Sequence, residues 1–201
     1  MLTLYDTKPE NFFEEYTKYL SKLLDNLDFG QLKDIAHLIL KQAKNGKTVY
    51  IIGNGGSAST ASHFATDFMH CSIIDHKPII RAISLSDNIA LITAIGNDKG
   101  YEYVFSHQLE RVASAGDILL AISASGNSGN LIEAFKTAKR MGVITIALLG
   151  FDGGEMIKQA DHAIHVKTHK GEYGPVEDTH LFLDHMLSAY MGLVLRAEAS
   201  K

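Results

Sequence analysis

The sequence has little that would cross-link the chain, anchor it in a membrane or export it. It contains a single cysteine, Cys71, which excludes an internal disulfide. No apolar run approaches the ~20 residues that a membrane-spanning helix needs. The first residues, Met1 to Asp6, lack the basic and then apolar layout of a signal peptide. We therefore predict a cytoplasmic protein with no membrane partner.

A surplus of basic charge is also missing. The chain has 19 basic and 23 acidic residues and a net charge of −4, which counts against nucleic acid as its main partner. A small anionic ligand remains compatible with this balance, because local donors decide its binding. Apolar residues make up 46% and charged residues 21% of the sequence, which is typical of a globular protein.

Length and patterning predict one domain over residues 1–201. The chain is long enough for one α/β core, and no Pro-, Gly- or Ser-rich tract divides it. Residues 9–45 carry apolar side chains at helical spacing with a break at 28–30, which predicts two helices. The first helix has a wide apolar arc that either packs on the core or forms a subunit interface. We assign 1–46 to packing and oligomerisation and 47–201 to a ligand-binding core.

Strands and helices alternate from residue 47 onward. The strands are apolar throughout, which is typical of a parallel sheet covered on both faces. The sequence therefore predicts an α/β fold with a doubly wound, parallel, five-stranded sheet. The predicted strands are 48–53, 79–85, 118–123, 144–149 and 163–166, and the predicted helices are 57–71, 88–95, 101–113, 130–141, 154–159 and 175–198.

Two similar loops follow the first and third of these strands. In both 51–59 and 121–130, an apolar run stops at Gly, Ser and Asn residues and restarts as a helix-compatible segment. Free backbone N–H groups and the positive end of the helix dipole meet at such a point, so it binds anions. The pair indicates one phosphorylated ligand held at more than one point. The alternative is two tight turns without a ligand.

The first loop has the spacing of a dinucleotide-binding fingerprint, with Gly53, Gly55 and Ala58 at its three marked positions. That fingerprint also needs an acidic residue at the end of the second strand. The nearest candidate by position, Asp75, precedes that strand. A nucleoside-triphosphate loop is excluded because no Lys follows the glycines. We predict no nucleotide cofactor.

The second loop carries three serines, Ser123, Ser125 and Ser128. Three hydroxyls and several backbone donors around one concavity are sufficient to hold a phosphate without Arg or Lys. Ser128 has a second interpretation, because a Ser at this position also caps a helix.

Four ordered motifs resemble those of a known family. They are Gly-Asn-Gly-Gly-Ser at 53–57, Ala-Ile-Gly-Asn-Asp at 94–98, Ser-Ala-Ser-Gly-Asn-Ser at 123–128 and Gly-Phe-Asp-Gly-Gly at 150–154. They are similar to the sugar isomerase (SIS) domain, and most similar to the phosphoheptose isomerases. The resemblance covers nearly the whole chain.

The resemblance implies an enzyme that interconverts sedoheptulose 7-phosphate and D-glycero-D-manno-heptose 7-phosphate. It further implies a homotetramer with active sites between subunits. The implied substrate-binding residues are Asn54, Gly55, Gly56, Ser57, Asp67, Asn97, Asp98, Ser123, Ala124, Ser125, Ser128 and Glu177.

The resemblance also places acid and base groups on two helices. His63 and Asp67 stand where the family has His and Glu, and Glu177 and His185 stand where it has Gln and His. Moving a proton between adjacent carbons through an enediol requires a base and an acid. We assign Asp67 as the base and His185 as acid or base. Asp67 is one methylene shorter than Glu, so its carboxylate stops short unless the backbone or a metal compensates.

Some family members bind zinc at these four positions, so a site of His63, Asp67, Glu177 and His185 is implied. His63 and Asp67 are four residues apart and share a helix face, and two His with two carboxylates form a plausible tetrahedral set. Eight helical residues rise ~12 Å, so one straight helix cannot bring both Glu177 and His185 to one ion. Either Glu177 precedes the helix or two subunits contribute.

Other interpretations stay open. His180 and Asp184, four residues apart, are predicted to be a surface pair. The chain could be a non-catalytic SIS regulator that binds a replication initiator protein, as relatives of phosphoheptose isomerase do. An isomerase of another sugar phosphate is the third hypothesis. His63, Asp67 and His185 favour an enzyme, because a binding scaffold needs no acid–base set.

Overall fold

The computed structural model describes residues 7–74 and 77–200. The features noted above for Met1 to Asp6 and for Asp75 lie outside the described residues. In chain order the elements are α1 (Pro9–Asp25), α2 (Phe29–Lys44), β1 (Thr48–Gly53), α3 (Gly56–Cys71), β2 (Ile73–Ile74), β3 (Lys77–Pro78), β4 (Arg81–Ser84), α4 (Ile89–Asp98), a 3-10 turn (Tyr101–Tyr103), α5 (Ser106–Val112), β5 (Ile118–Ser123), α6 (Gly129–Met141), β6 (Ile144–Leu149), α7 (Met156–Gln159), β7 (His162–His165) and α8 (Tyr173–Ala199).

Five strands form one parallel sheet in the order β4-β1-β5-β6-β7. The three central strands are buried along their length except at their first residues, Thr48 and Ile144. Such strands have no solvent face, which is why they read as continuous apolar runs. The predicted doubly wound, parallel, five-stranded α/β fold is confirmed. Gly53 pairs with Ile122, so β1 and β5 end at nearly the same level and their loops lie side by side.

Alternate residues of the central strands enter two different cores. Ile51 and Leu120 pack on the side of α2, α3 and α8. Ile52 and Leu119 pack on the opposite side, against α5 and α6. This two-sided burial fixes the register of the strands, because a slip of one residue would exchange the two sets.

The structure differs from the prediction at several boundaries. A short antiparallel pair, β2 and β3, precedes the second strand of the large sheet, and that strand spans Arg81–Ser84 rather than 79–85. The predicted helix over 101–113 is a 3-10 turn followed by α5. In α1 only Leu23 is buried and the side chain of Phe13 is 66% exposed, so most of the apolar arc lies outside the core. No helix among the described residues is both long and apolar enough to span a bilayer.

Candidate active site

A polar cavity of about 160 Å³ lies where the two Gly/Ser loops meet, beyond the carboxyl ends of β1 and β5. This is the edge at which ligands bind in open parallel sheets. Seven of the residues predicted to contact substrate line it: Asn54, Ser57, Ser123, Ala124, Ser125, Ser128 and Glu177. The remaining lining residues are Ile122, Leu131 and Tyr173.

The three serines of the second loop have different surroundings. The Ser123 hydroxyl accepts a hydrogen bond from the Gly126 N–H at 3.1 Å, and the Ser125 hydroxyl accepts one from the Asn127 N–H at 3.3 Å. Both therefore also shape the loop. Ser128 precedes the first residue of α6, but its side chain makes no capping hydrogen bond. Its hydroxyl and the N–H groups of the first turn of α6 are the donors best suited to an anion in the cavity.

Glycines hold this loop against the loop 150–154. Gly126 has φ +63°, and a Cβ there would overlap the carbonyl oxygen of Gly153. The Met156 N–H donates to the Gly126 carbonyl at 3.0 Å, and the Glu155 N–H donates to Asn127 Oδ1 at 3.0 Å. The Gly-rich motif at 150–154 therefore packs against the second Gly/Ser loop and fixes its position.

Asn54 is fixed by two residues that sequence reasoning missed. Its Nδ2 donates to Asn130 Oδ1 at 2.9 Å, and Asn130 Nδ2 donates back to Asn54 Oδ1 at 2.8 Å. The Tyr101 hydroxyl donates to the same Asn54 oxygen at 2.9 Å. Asn130 is buried, so this amide pair ties the first loop to the start of α6. The repeat of Gly53-Asn54 as Gly129-Asn130 was a signal in the sequence that could have identified it.

The other predicted substrate contacts are spread more widely. Gly55, with φ +55°, is the N-cap residue of α3, and Gly56 is the first residue of that helix. Asn97 and Asp98 lie at the end of α4, where Asn97 Nδ2 donates to Asp98 Oδ1 at 2.8 Å. Asp98 lines a separate cavity together with His107 and Arg111. Within the described chain, Asn97 and Asp98 are therefore not among the residues that line the cavity between the Gly/Ser loops.

A second group of functional side chains lies between α3 and α8. The structure brings His63, Asp67 and His185 together with Asp184, and one ligand atom from each lies within 4.8 Å of the others. His63 Nε2 is 3.3 Å from His185 Nε2 and 3.5 Å from Asp67 Oδ2, and His185 Nε2 is 4.0 Å from Asp67 Oδ2. Ligand atoms around a tetrahedral zinc ion with bonds of ~2.0–2.1 Å lie about 3.3 Å apart. The donor set and its spacing fit such an ion.

Asp184 and His180 are not a surface pair, contrary to the prediction. Both are fully buried. Burial raises the pKa of Asp184 to about 8, with a smaller contribution from the charge of Asp67. Burial lowers the pKa of His180 to about 4. The side of α8 that carries them packs against the core beside α3, so the four-residue spacing marked a buried face.

Glu177 lies away from this group. It is in the second turn of α8, so the alternative in which it precedes the helix is wrong. A Cβ on Gly56 would lie 2.7 Å from Glu177 Oε2, which places the carboxylate against the start of α3. His63 follows Gly56 by seven residues and His185 follows Glu177 by eight, so the His63 group lies ~10–12 Å further along both helices.

A family model described as SIS domain matches residues 11–150. The chain belongs to the SIS domain family. Within this SIS-domain chain, the two Gly/Ser loops, His63 and Asp67 fall inside the matched segment, whereas α8 with Asp184 and His185 lies beyond it.

Proteins named phosphoheptose isomerase are similar over most of the chain. The one from Campylobacter concisus is 38% identical over 181 residues, which covers 90% of this chain and 93% of that protein. The one from Sulfurimonas denitrificans is 40% identical over 158 residues, covering 79% and 80%. The solved structure of phosphoheptose isomerase from Neisseria gonorrhoeae is 32% identical with a TM-score of 0.79, covering 89% and 94%.

Proposed function

We propose that this chain is an aldose–ketose isomerase that converts sedoheptulose 7-phosphate to D-glycero-D-manno-heptose 7-phosphate. The observation that carries the proposal is the pairing of two sites along α3 and α8. A cavity rich in hydroxyl and N–H donors lies at one end, and a His/Asp group lies ~10 Å further along. The relatives named above bear the name of this activity. A sugar with its phosphate several carbons from its carbonyl needs such a separation.

In this proposal the phosphate is bound at the start of α6. The Ser128 hydroxyl donates to it together with backbone N–H groups of the loop and the first helical turn, and the helix dipole favours its charge. Neutral donors give less long-range attraction than Arg or Lys would, but they fix the position of the phosphate. The Asn54–Asn130 pair keeps the two loops at a constant separation.

The chemical step moves one proton between two adjacent carbons. Asp67 removes the proton from the carbon next to the ketone and returns it to the former carbonyl carbon, while His185 gives a proton to the carbonyl oxygen and takes one from the neighbouring hydroxyl. The enediol lies between these two transfers, and no atom is gained or lost. Asp67 Oδ2 and His185 Nε2 are 4.0 Å apart, so both can reach neighbouring atoms of one substrate.

We further propose zinc as the metal of the His63 group, because two imidazoles and two carboxylates are donors that zinc accepts. When bound, zinc supplies Lewis acidity, which polarises a carbonyl oxygen and eases removal of the adjacent proton. His63 would hold the ion and moves no proton itself. Asp67 Oδ2 and His185 Nε2 would bind the ion through the same atoms that move protons in its absence. With the ion bound, its Lewis acidity would replace the His185 proton at the carbonyl oxygen, and the second oxygen of Asp67 would carry the carbon-bound proton.

The predicted homotetramer with active sites between subunits remains part of the proposal. Large apolar side chains are exposed on three helices, with Phe13 at 66%, Ile89 at 72% and Leu193 at 63%. An apolar groove between α2 and α8 contains Phe29 and Met186. Surfaces of this kind support association. The predicted roles of Asn97 and Asp98 would then be fulfilled across a subunit boundary. The cytoplasmic location and the single-domain organisation stay predictions.

The deciding experiment is to follow purified protein and sedoheptulose 7-phosphate by NMR of the sugar, with added zinc and after chelation. We expect the aldoheptose 7-phosphate to form, and Asp67→Ala and His185→Ala to lose at least ~100-fold in kcat/KM, as removal of a general acid or base does. His70→Gln changes an exposed histidine of the same helix α3 and serves as the control. Conversion of five- or six-carbon phosphates in preference to the heptose would contradict the choice of substrate.

A further inference from the structure

We propose that Asp184 is a metal ligand, so that His63, Asp67, Asp184 and His185 supply four ligands from one chain and Glu177 is not among them. The inference rests on the metal site proposed above. It replaces the ligand that the resemblance had implied at position 177.

The first observation is the environment of the Asp184 carboxylate. Its side chain is fully buried, and neither oxygen has a hydrogen-bond partner. Buried polar groups are nearly always paired, and an exception calls for a missing partner. Asp184 Oδ2 is directed at the histidine group, 3.9 Å from His63 Nε2. A cation between these atoms would give the carboxylate the partner that the protein itself does not provide.

The second observation is how evenly the two helices contribute. α3 provides His63 and Asp67, which share a face at a spacing of four residues, and α8 provides the consecutive residues Asp184 and His185. The mutual distances of up to 4.8 Å need to shrink by only about 1.5 Å at most to reach those around a tetrahedral ion. Two carboxylates also balance the charge of a divalent cation.

The third observation excludes the alternative ligand within one chain. Glu177 and His185 lie eight residues apart inside one continuous helix, which separates them by ~12 Å along its axis. The Glu177 carboxylate instead contacts the start of α3 at Gly56. Asp184 also compensates for the Asp67 side chain, which is one methylene shorter than the Glu of the family. It brings a second carboxylate to the same group of ligands from the opposite helix.

The test measures metal binding to the full chain without any sugar. Protein freed of metal with a chelator is titrated with Zn²⁺ by calorimetry and with Co²⁺ by visible absorption. We expect one ion per chain, affinity at least ~10-fold weaker in Asp184→Asn, and unchanged affinity in Glu177→Ala, which leaves no ligand atom at position 177. Circular dichroism and thermal unfolding check that each variant is folded.

A second variant keeps the test decisive if Asp184→Asn folds poorly. Asp184→Cys exchanges one anionic ligand for another, and its thiolate gives a sulfur-to-cobalt charge-transfer band if position 184 contacts the ion. The wild-type spectrum, which includes Cys71, is the baseline. Wild-type affinity in Asp184→Asn, absence of the band in Asp184→Cys, loss of binding in Glu177→Ala, or no metal binding at all would each overturn the proposal. None of these readouts depends on turnover, so failure here is distinct from failure of the isomerase assay.

Discussion

The carboxylate of Glu177 lies against Gly56, so closely that a Cβ on this glycine would be 2.7 Å from Glu177 Oε2. Gly56 is the first residue of α3, and Glu177 also lines the cavity that contains Ser123, Ser125 and Ser128. A negative charge is therefore placed at the positive end of one helix and beside the site proposed for a second anion. The sugar phosphate must bind despite this charge.

We expect Glu177→Gln to lower the KM for sedoheptulose 7-phosphate. Gln keeps the shape of the side chain and removes a charge whose repulsion of the phosphate is about 1 kcal/mol, which corresponds to roughly fivefold in KM. The effect should shrink as salt is added, because screening weakens it. Glu198→Gln, at the far end of the same helix, is the control for a general change in charge. An unchanged or higher KM in Glu177→Gln would show that the carboxylate helps to bind the sugar.

Ser128→Ala should raise the KM roughly tenfold, the loss expected for a hydrogen bond to a charged group, without destabilising the fold. Replacing a helix-capping serine by Ala lowers the free energy of unfolding by ~1 kcal/mol. The Ser128 side chain makes no capping hydrogen bond, so this loss is not expected. Asp28→Ala is the matched control, since Asp28 accepts a capping hydrogen bond from the Gln31 N–H at the start of α2 and does not line the cavity between the Gly/Ser loops. It should lose ~1 kcal/mol of unfolding free energy with an unchanged KM. Urea unfolding and steady-state kinetics on both variants separate capping from phosphate binding.

The sheet and the position of the two Gly/Ser loops were predictable because their signals are local. A buried parallel strand needs an unbroken apolar run, and the turn after it needs glycine and small polar residues. The sequence therefore placed Ser123, Ser125 and Ser128 beside the cavity, and their binding of phosphate stays a prediction. The boundaries near residues 73–81 and 101–106 were not, because short irregular segments carry no clear period.

Asp184 was misjudged because α8 carries apolar residues on both sides. Phe182 is 45% exposed and Leu193 is 63% exposed, while Asp184 is fully buried. The apolar pattern alone does not show which side of this helix faces α3. The buried side of α8 is determined by its packing against α3, which lies more than a hundred residues earlier in the chain. The roles of Asn97 and Asp98 stay a prediction, because Asp98 lines another cavity of the single chain.

Gly126→Ala should destabilise the protein by about 2–4 kcal/mol and weaken phosphate binding. The residue has φ +63°, and the new methyl group would meet the rigid backbone at Gly153 rather than a movable side chain. Gly129→Ala, three residues later at the start of α6, meets nothing within 4 Å and should change stability by less than ~0.5 kcal/mol. Equal unfolding free energies of the two variants would mean that the loop can move away from Gly153.

The buried ring of His180 should make the metal-free protein sensitive to mild acid. Burial lowers the pKa of His180 to about 4, whereas the unfolded chain binds this proton near pH 6.5. The unfolded state therefore holds the extra proton between these values, and the folded state loses up to about 3 kcal/mol as the pH falls from ~6.5 to ~4.

Asp184 produces the opposite trend, because its pKa is raised to about 8 and the folded state is then the one that holds the proton. Its contribution to stability is present at acidic pH and is lost as the pH rises toward 8. The His180 effect is therefore measured as a difference, by urea unfolding of wild type and His180→Leu at pH 7.5 and pH 5. The stability of wild type relative to His180→Leu should fall on acidification. A constant difference between wild type and His180→Leu would mean that the ring is protonated equally in both states.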